Sequence, residues 1–364
     1  MPLLSFFWFS LSIVIFALTS STHASSRHEC QKPTRDALRG CPHGTLLVGP
    51  NATFTSIQSA VLSLPNNTKP AYILILSGDY TEQVNITRSG PLTLYGQTKH
   101  PNDNTLNTVN LIWHNATGTA STGSYDNAYT STLTIAPTLN SSLTGSGPTG
   151  NHVPDDTPFG NTDFRAYNLN IINDYLPYSA GPSLALSVSY ANTGFYFCGF
   201  YSYQDTVYTG KLGNAYLYNG IIAGQTDFLY GFGTLWIQSS LLSLRNCGGG
   251  ITAWKGTNTS FVNHYGAYIH DSSVRKANES LQIEGLCSLG RPWNALHRSI
   301  FANTSLDDSI RPSGYTQWSS TDPRVNFSKP LFFSLRKVHN GSNHMADDYR
   351  ELSFVSCSYT RIWY

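Results

Sequence analysis

Charge is what this chain has least of. Only 12% of its 364 residues are Asp, Glu, Lys or Arg, and the formal net charge is +1. There is no basic stripe to neutralise a phosphate backbone, so nucleic acid is excluded as a partner. No acidic run marks a solvating tail. CxxC and HExxH are absent and the 11 histidines are scattered, so no metal-ligand spacing stands out. Clustered carboxylates of the kind that hold Ca²⁺ are missing too. Neither a metal nor a cofactor is expected. No Pro/Gly/Ser-rich linker divides the chain into two cores. Beyond Thr19 no apolar run is long enough to span a membrane. Helical periodicity is missing through the middle of the chain, which argues against βαβ units.

What is present begins with an apolar run over residues 3–19, followed by Thr22-His23-Ala24. This reads as a secretory signal peptide, residues 1–24, cleaved after Ala24; a membrane anchor is the competing reading. Residues 25–364 are then one domain, extracellular and without a membrane partner once the leader is removed. Ten sequons agree with that route: Asn51, Asn66, Asn85, Asn115, Asn140, Asn258, Asn278, Asn303, Asn326 and Asn340. They should lie on the surface of a glycoprotein. Six cysteines permit disulfides in an oxidising compartment. Spacing does not fix the pairing, although Cys30 with Cys41 is the easiest bridge to imagine.

Thr55-Ser56-Ile57-Gln58 fits a capping box with Thr55 first and Gln58 three residues later. Phe54, Ile57, Ala60, Val61 and Leu64 then recur at helical spacing until Pro65. This short helix suits a cap over the first coil of a solenoid. After it the pattern is one of strands. Residues 71–76 are a continuous apolar run, residues 80–86 alternate, and residues 92–96 and 166–172 follow. Residues 115–163 read as a long surface excursion with one strand-like insert at residues 131–135. The clearest repeat is Phe200-Tyr201, Ile221-Ile222 and Leu241-Leu242, apolar pairs at a step of roughly 20 residues. Short strands at that step describe an all-β chain wound as a single parallel β-helix with a short N-terminal capping helix.

Two aspartates carry the chemistry of this reading. They lie in Tyr203-Gln204-Asp205-Thr206-Val207-Tyr208 and Gly224-Gln225-Thr226-Asp227-Phe228-Leu229-Tyr230-Gly231. Their separation is one rung, so stacked coils would bring them side by side at about the 4.7–4.9 Å strand spacing. Two carboxyls that close do not titrate alike: one is pushed up and the other stays ionised. Arg291 is a candidate to hold Asp227: a guanidinium against that carboxylate would lower its pKa and leave Asp205 to keep a proton.

These segments, with Leu289-Gly290-Arg291-Pro292-Trp293 and Pro312-Ser313-Gly314-Tyr315-Thr316-Gln317-Trp318, resemble the pectin methylesterase (pectinesterase) family. Ile251-Thr252-Ala253-Trp254-Lys255-Gly256 is similar to the fungal version. The matches run from about Phe54 to Trp318. The resemblance implies a right-handed parallel β-helix and a monomeric hydrolase that demethylates methyl-esterified homogalacturonan. It implies Asp227 as nucleophile, Asp205 as acid/base and Gln204 as an oxyanion donor, with Arg291 beside them. Trp293, Phe228 and Tyr230 are expected to form the sugar-binding floor, and Trp254 its rim. Two positions depart from the family pattern. Pro182 stands where a second glutamine is usual, so half of the oxyanion hole is missing or rebuilt. Gly220 stands where plant members often have a cysteine, so Cys198 is free or pairs elsewhere, with Cys247 as one candidate.

Two other functions fit parts of the sequence. One is a cell-wall polysaccharide-binding protein that has lost activity, supported by Pro182. The other is a pectin-degrading glycanase, supported by Asn161-Thr162-Asp163 and the acidic pair Asp155-Asp156.

Overall fold

The computed structural model describes residues 27–118, 126–145, 151–256, 264–322 and 324, with the backbone of strand Phe333–Lys337. The leader, Cys357 and the sequons at Asn258, Asn326 and Asn340 lie outside the described residues.

Every strand pairing is parallel, and each strand pairs with its counterpart one coil away. Leu74 therefore lies over Tyr95, and Tyr95 over Tyr167. The chain is a parallel β-helix with three faces, and parallel connections of this kind wind right-handed. The first face runs from Leu46–Val48 through Ala71–Ile75, Leu92–Gly96, Phe164–Tyr167, Asn192–Tyr196, Asn214–Tyr218 and Thr234–Gln238 to Gly266–His270. The second runs from Gly78–Thr81 to Ser273–Lys276. Ser299–Leu306 is long enough to serve both. Among the described residues the third face has six strands: Val84–Ile86, Leu133–Ile135, Leu186–Val188, Val207–Thr209, Leu229–Gly231 and Thr252–Trp254.

Stacking in register builds the core. Ile73, Leu94, Ala166, Phe195, Leu217, Ile237, Ile269 and Phe301 form one interior column, all buried. The apolar pairs of the 20-residue repeat are register partners: Phe200 lies over Ile222, and Ile222 over Leu242. The corner between the first and second faces is a two-residue turn whose first residue is left-handed in successive coils: Asn168, Phe197, Asn219, Ser239, Asp271 and Asn303. Outside the second face, Asp79, Asn110 and Asn170 form a ladder of amide hydrogen bonds.

Several expectations are refined. The capping helix is Ile57–Ser63, but its N-cap is Ser56, whose hydroxyl accepts from the Ser59 amide. Glu82 caps the amides of Ile57 and Gln58, which frees the Gln58 side chain to accept from the amide of Asn85. The run 166–172 is two strands broken at left-handed Asn168. The excursion is not wholly superficial: Leu133–Ile135 is a complete rung of the third face and is buried. Cys30 pairs with Cys41 as expected. Cys247 pairs with Cys287, so Cys198 stays a free, buried thiol and its suggested partner is corrected. Of the described sequons, Asn51, Asn66, Asn85, Asn140, Asn278 and Asn303 are exposed; Asn115 is half-buried.

Candidate active site

Asp205 and Asp227 occupy equivalent places in adjacent coils, at the corner that leads into the third face. Val207 pairs with Leu229, which sets Asp205 over Asp227. The Asp205 amide donates to the Thr226 carbonyl at 3.0 Å, and the Asp227 amide to the Gly250 carbonyl at 2.7 Å. Both aspartates have left-handed backbones, φ 59° and 47°. Aspartate tolerates that conformation better than most residues. Each corner turns its carboxyl outward, yet both are buried beneath the surrounding loops, 6% and 5% exposed.

The carboxyls differ in their company. Asp227 accepts from the Gly250 amide at 3.0 Å and from Arg291 Nε at 3.3 Å, and Arg291 Nη2 closes a second contact with its other oxygen. Gly249, at φ +61°, makes room for this pair: a Cβ there would lie 2.4 Å from Asp227 Oδ1 and 3.0 Å from Arg291 Nε. Arg291 is delivered by an extra rung. Gly290 bridges Thr252 on one side and Tyr315 on the other, and the Arg291 amide donates to Thr252 at 2.8 Å. The guanidinium also stacks on Trp318, 4.1 Å from its ring centre. Among the described residues no cation makes such a contact with Asp205. Asn127 Nδ2 donates to its Oδ2 at 3.3 Å.

Burial pushes the Asp205 carboxyl well above the usual range, the charge on Asp227 adds to this, and Arg291 opposes it only partly. Burial also raises Asp227, although the hydrogen bond and charge of Arg291 and the Gly250 amide pull it back. The expected lowering of Asp227 is thus outweighed by its burial. The expected order survives, because Arg291 and Gly250 hold Asp227 below Asp205.

A cavity of about 210 Å³ opens over the pair, lined by Asn127, Pro182, Gln204, Asp205, Asp227, Tyr230, Ala253, Arg291, Trp293 and Trp318. Ser179 donates to Gln204 Oε1 at 2.7 Å, which leaves the Gln204 N–H groups as donors for the cavity. Tyr230 packs at a tilt against Tyr208 at 4.8 Å and against Trp293 at 5.9 Å. Phe228 is a correction. Its ring is fully buried in the coil interior and lines no part of the cavity. Trp254 is likewise fully buried and forms no rim.

Sequence reasoning missed Asn127, Trp318 and Lys255. Trp318 closes one of the quoted segments, so a signal for it was there. Lys255 is buried, with its ammonium 3.9 Å from the Trp293 ring centre and 3.3 Å from the Gly145 carbonyl. Burial lowers its pKa to about 8. It fastens the loop through Gly145 to the aromatic wall. A larger groove of about 410 Å³ lies at the left-handed corner, but Asp271 is its only carboxyl. The glycanase candidates are not assembled. Asn161 is buried, with its amide donating to the carbonyls of Arg88 and Gly90, Asp163 pairs with Arg165, and Asp155 and Asp156 are exposed, all away from the cavity.

A family model described as Pectinesterase matches residues 159–334. A probable pectinesterase A of Aspergillus niger is 32% identical over 317 residues, covering 86% of this chain and 84% of that protein. Pectinesterase A of Emericella nidulans is 27% identical over 348 residues, covering 95% and 93%. The solved pectin methylesterase from Aspergillus niger matches with a TM-score of 0.65 at 28% identity, over 83% of this chain and 87% of that one. The pectin methylesterase from carrot shares the fold with a TM-score of 0.60 at 20% identity, over 81% and 82%.

Proposed function

The chain belongs to the pectinesterase family, and from that premise we propose that it is a secreted, monomeric glycoprotein that hydrolyses the methyl esters of homogalacturonan through an aspartyl acyl-enzyme. The observation that carries this reading is the buried carboxyl pair, one rung apart in one cavity, with a guanidinium on only one member.

That asymmetry supports the following roles. Asp227, kept ionised by Arg291, attacks the ester carbonyl carbon. The carbonyl π electrons move onto oxygen, and the resulting oxyanion meets the Gln204 amide, whose other end is tied to Ser179. Asp205, neutral in its buried site, gives its proton to the methoxide as the C–O bond breaks, and methanol leaves. Water then attacks the acyl carbon while the Asp205 carboxylate takes its proton. Collapse of the second tetrahedral intermediate expels Asp227 and frees the uronic acid. Trp293, Tyr230 and Trp318 form the wall against which the apolar face of a sugar ring packs. Pro182 lines the cavity beside Gln204 and offers no side-chain donor.

The test is methanol release from methyl-esterified pectin by the secreted protein, with and without EDTA. Methanol production that acidifies the medium and is unchanged by chelation is expected. Binding of pectin without methanol would favour the inactive binding protein, and chain cleavage without methanol a glycanase.

A further inference from the structure

We infer that Asn127 is a positioning residue for Asp205, reaching the acid/base carboxyl from outside the coil stack. The inference rests on the roles assigned above. Asn127 opens the 3₁₀ turn Asn127–Thr130 in the excursion, 78 residues from Asp205 in sequence, and its amide donates to Asp205 Oδ2 at 3.3 Å. With Oδ2 engaged as an acceptor, Oδ1 is left to carry the transferable proton.

The turn is held firmly enough to place that amide. The Asp126 carboxylate caps it through the Ala128 amide at 2.9 Å. The same carboxylate accepts from the amides of Thr144 and Gly145, the Thr144 hydroxyl and the Asn151 side chain. Thr130 Oγ1 donates to the Asn127 carbonyl at 2.8 Å and accepts from the Leu184 amide at 3.0 Å. Leu184 lies two residues beyond Pro182, so the turn is bonded to the coil in which Pro182 offers no side-chain donor. None of these ties uses the Asn127 side chain, so replacing it leaves the turn anchored.

The charged and titratable groups facing Asp205 are Asp227 and Arg291 from the next coil and the added rung, and the Tyr230 hydroxyl from the third face. Asp126 caps the turn, and its charge acts on the buried Lys255. Against that fixed background, the Asn127 amide favours the ionised form of Asp205. Removing it raises the Asp205 pKa.

Two measurements on the intact protein test this. In Asn127→Ala, kcat for methanol release should fall about tenfold or more while KM changes less than about threefold. The basic limb of the kcat/KM profile should move to higher pH. Asn127→Asp, which adds a third carboxylate, should move it further the same way. Independently of turnover, the Asp205 carboxyl followed by ¹³C NMR should titrate at higher pH in Asn127→Ala than in the parent. An unchanged Asp205 titration overturns the inference, whether or not Tm falls, because a loop tie alone would lower Tm without moving that carboxyl. If the parent releases no methanol, the esterase reading fails, and the carboxyl titration still decides the role of Asn127.

Discussion

The two aspartates should respond oppositely when their charge is removed. Asp205 has a folded-state pKa raised above its unfolded value, so its contribution to stability is full below the unfolded pKa and is lost as pH rises. At neutral pH it is a burden on the fold. Asp205→Asn should therefore raise Tm at pH 7 while slowing both acylation and deacylation. Asp227→Asn removes the proposed nucleophile; burial raises this carboxyl as well, but the substitution strands the Arg291 guanidinium without its carboxylate, and that loss dominates, so turnover should vanish and Tm should fall. Calorimetry and methanol release on the two variants check this. A fall of Tm in both would mean that Asp205 is a structural ion rather than a buried acid. Such opposition between stability and activity is expected where a site keeps a carboxyl neutral for use.

At the scale of the element, the corner into the third face sets the geometry: its left-handed residue is Asp205, Asp227 and then Gly249 in successive coils, and at Gly249 the ion pair leaves no room for a side chain. Gly249→Ala places a methyl against Asp227 Oδ1 and Arg291 Nε in a left-handed backbone. It should cost at least tenfold in kcat with little loss of far-UV signal, since the strain falls on the ion pair. Normal kinetics would show that the pair tolerates a shift. The same corners explain which parts of the site were legible in the sequence. The 22-residue step from Asp205 to Asp227 survives into the structure because parallel strands keep register from coil to coil. Phe228 was misread because left-handed Asp227 breaks the alternation of a strand: Phe228 and Leu229 both turn inward. The excursion hid Asn127, since no periodicity links it to Asp205. Even the helix cap lay one residue from its expected place, because Glu82, from another segment, supplies what Gln58 was expected to give.

On the scale of the whole molecule, the coils are closed toward the C-terminal end by a buried polar chain. His297 Nε2 meets Ser299 Oγ at 2.8 Å, which meets the Tyr315 hydroxyl at 2.8 Å and Thr252 Oγ1 at 3.0 Å. Burial lowers the His297 pKa to about 4 from 6.5. The folded state therefore resists a proton that the unfolded chain accepts. Its contribution is full above the unfolded pKa and is lost as pH falls toward about 4, a difference on the order of 3 kcal/mol. Asp205 pulls the other way, so the comparison must be with His297→Gln. Urea unfolding at pH 7 and pH 4.5 should show a smaller acid loss in that variant. An equal loss would place the acid sensitivity elsewhere.

The Cys247–Cys287 bond spans the stretch from the Gly248-Gly249-Gly250 turn to the rung that delivers Arg291. Both neighbours of Asp227 are thus tied by a link that forms only in an oxidising compartment. On the proposed secretory route, competence and export come together: a chain still in a reducing cytosol lacks the Cys247–Cys287 clamp beside Asp227, the proposed nucleophile, and acquires it during export. The same coupling makes the choice of host, cytosolic or secretory, part of what a recombinant preparation will be able to do.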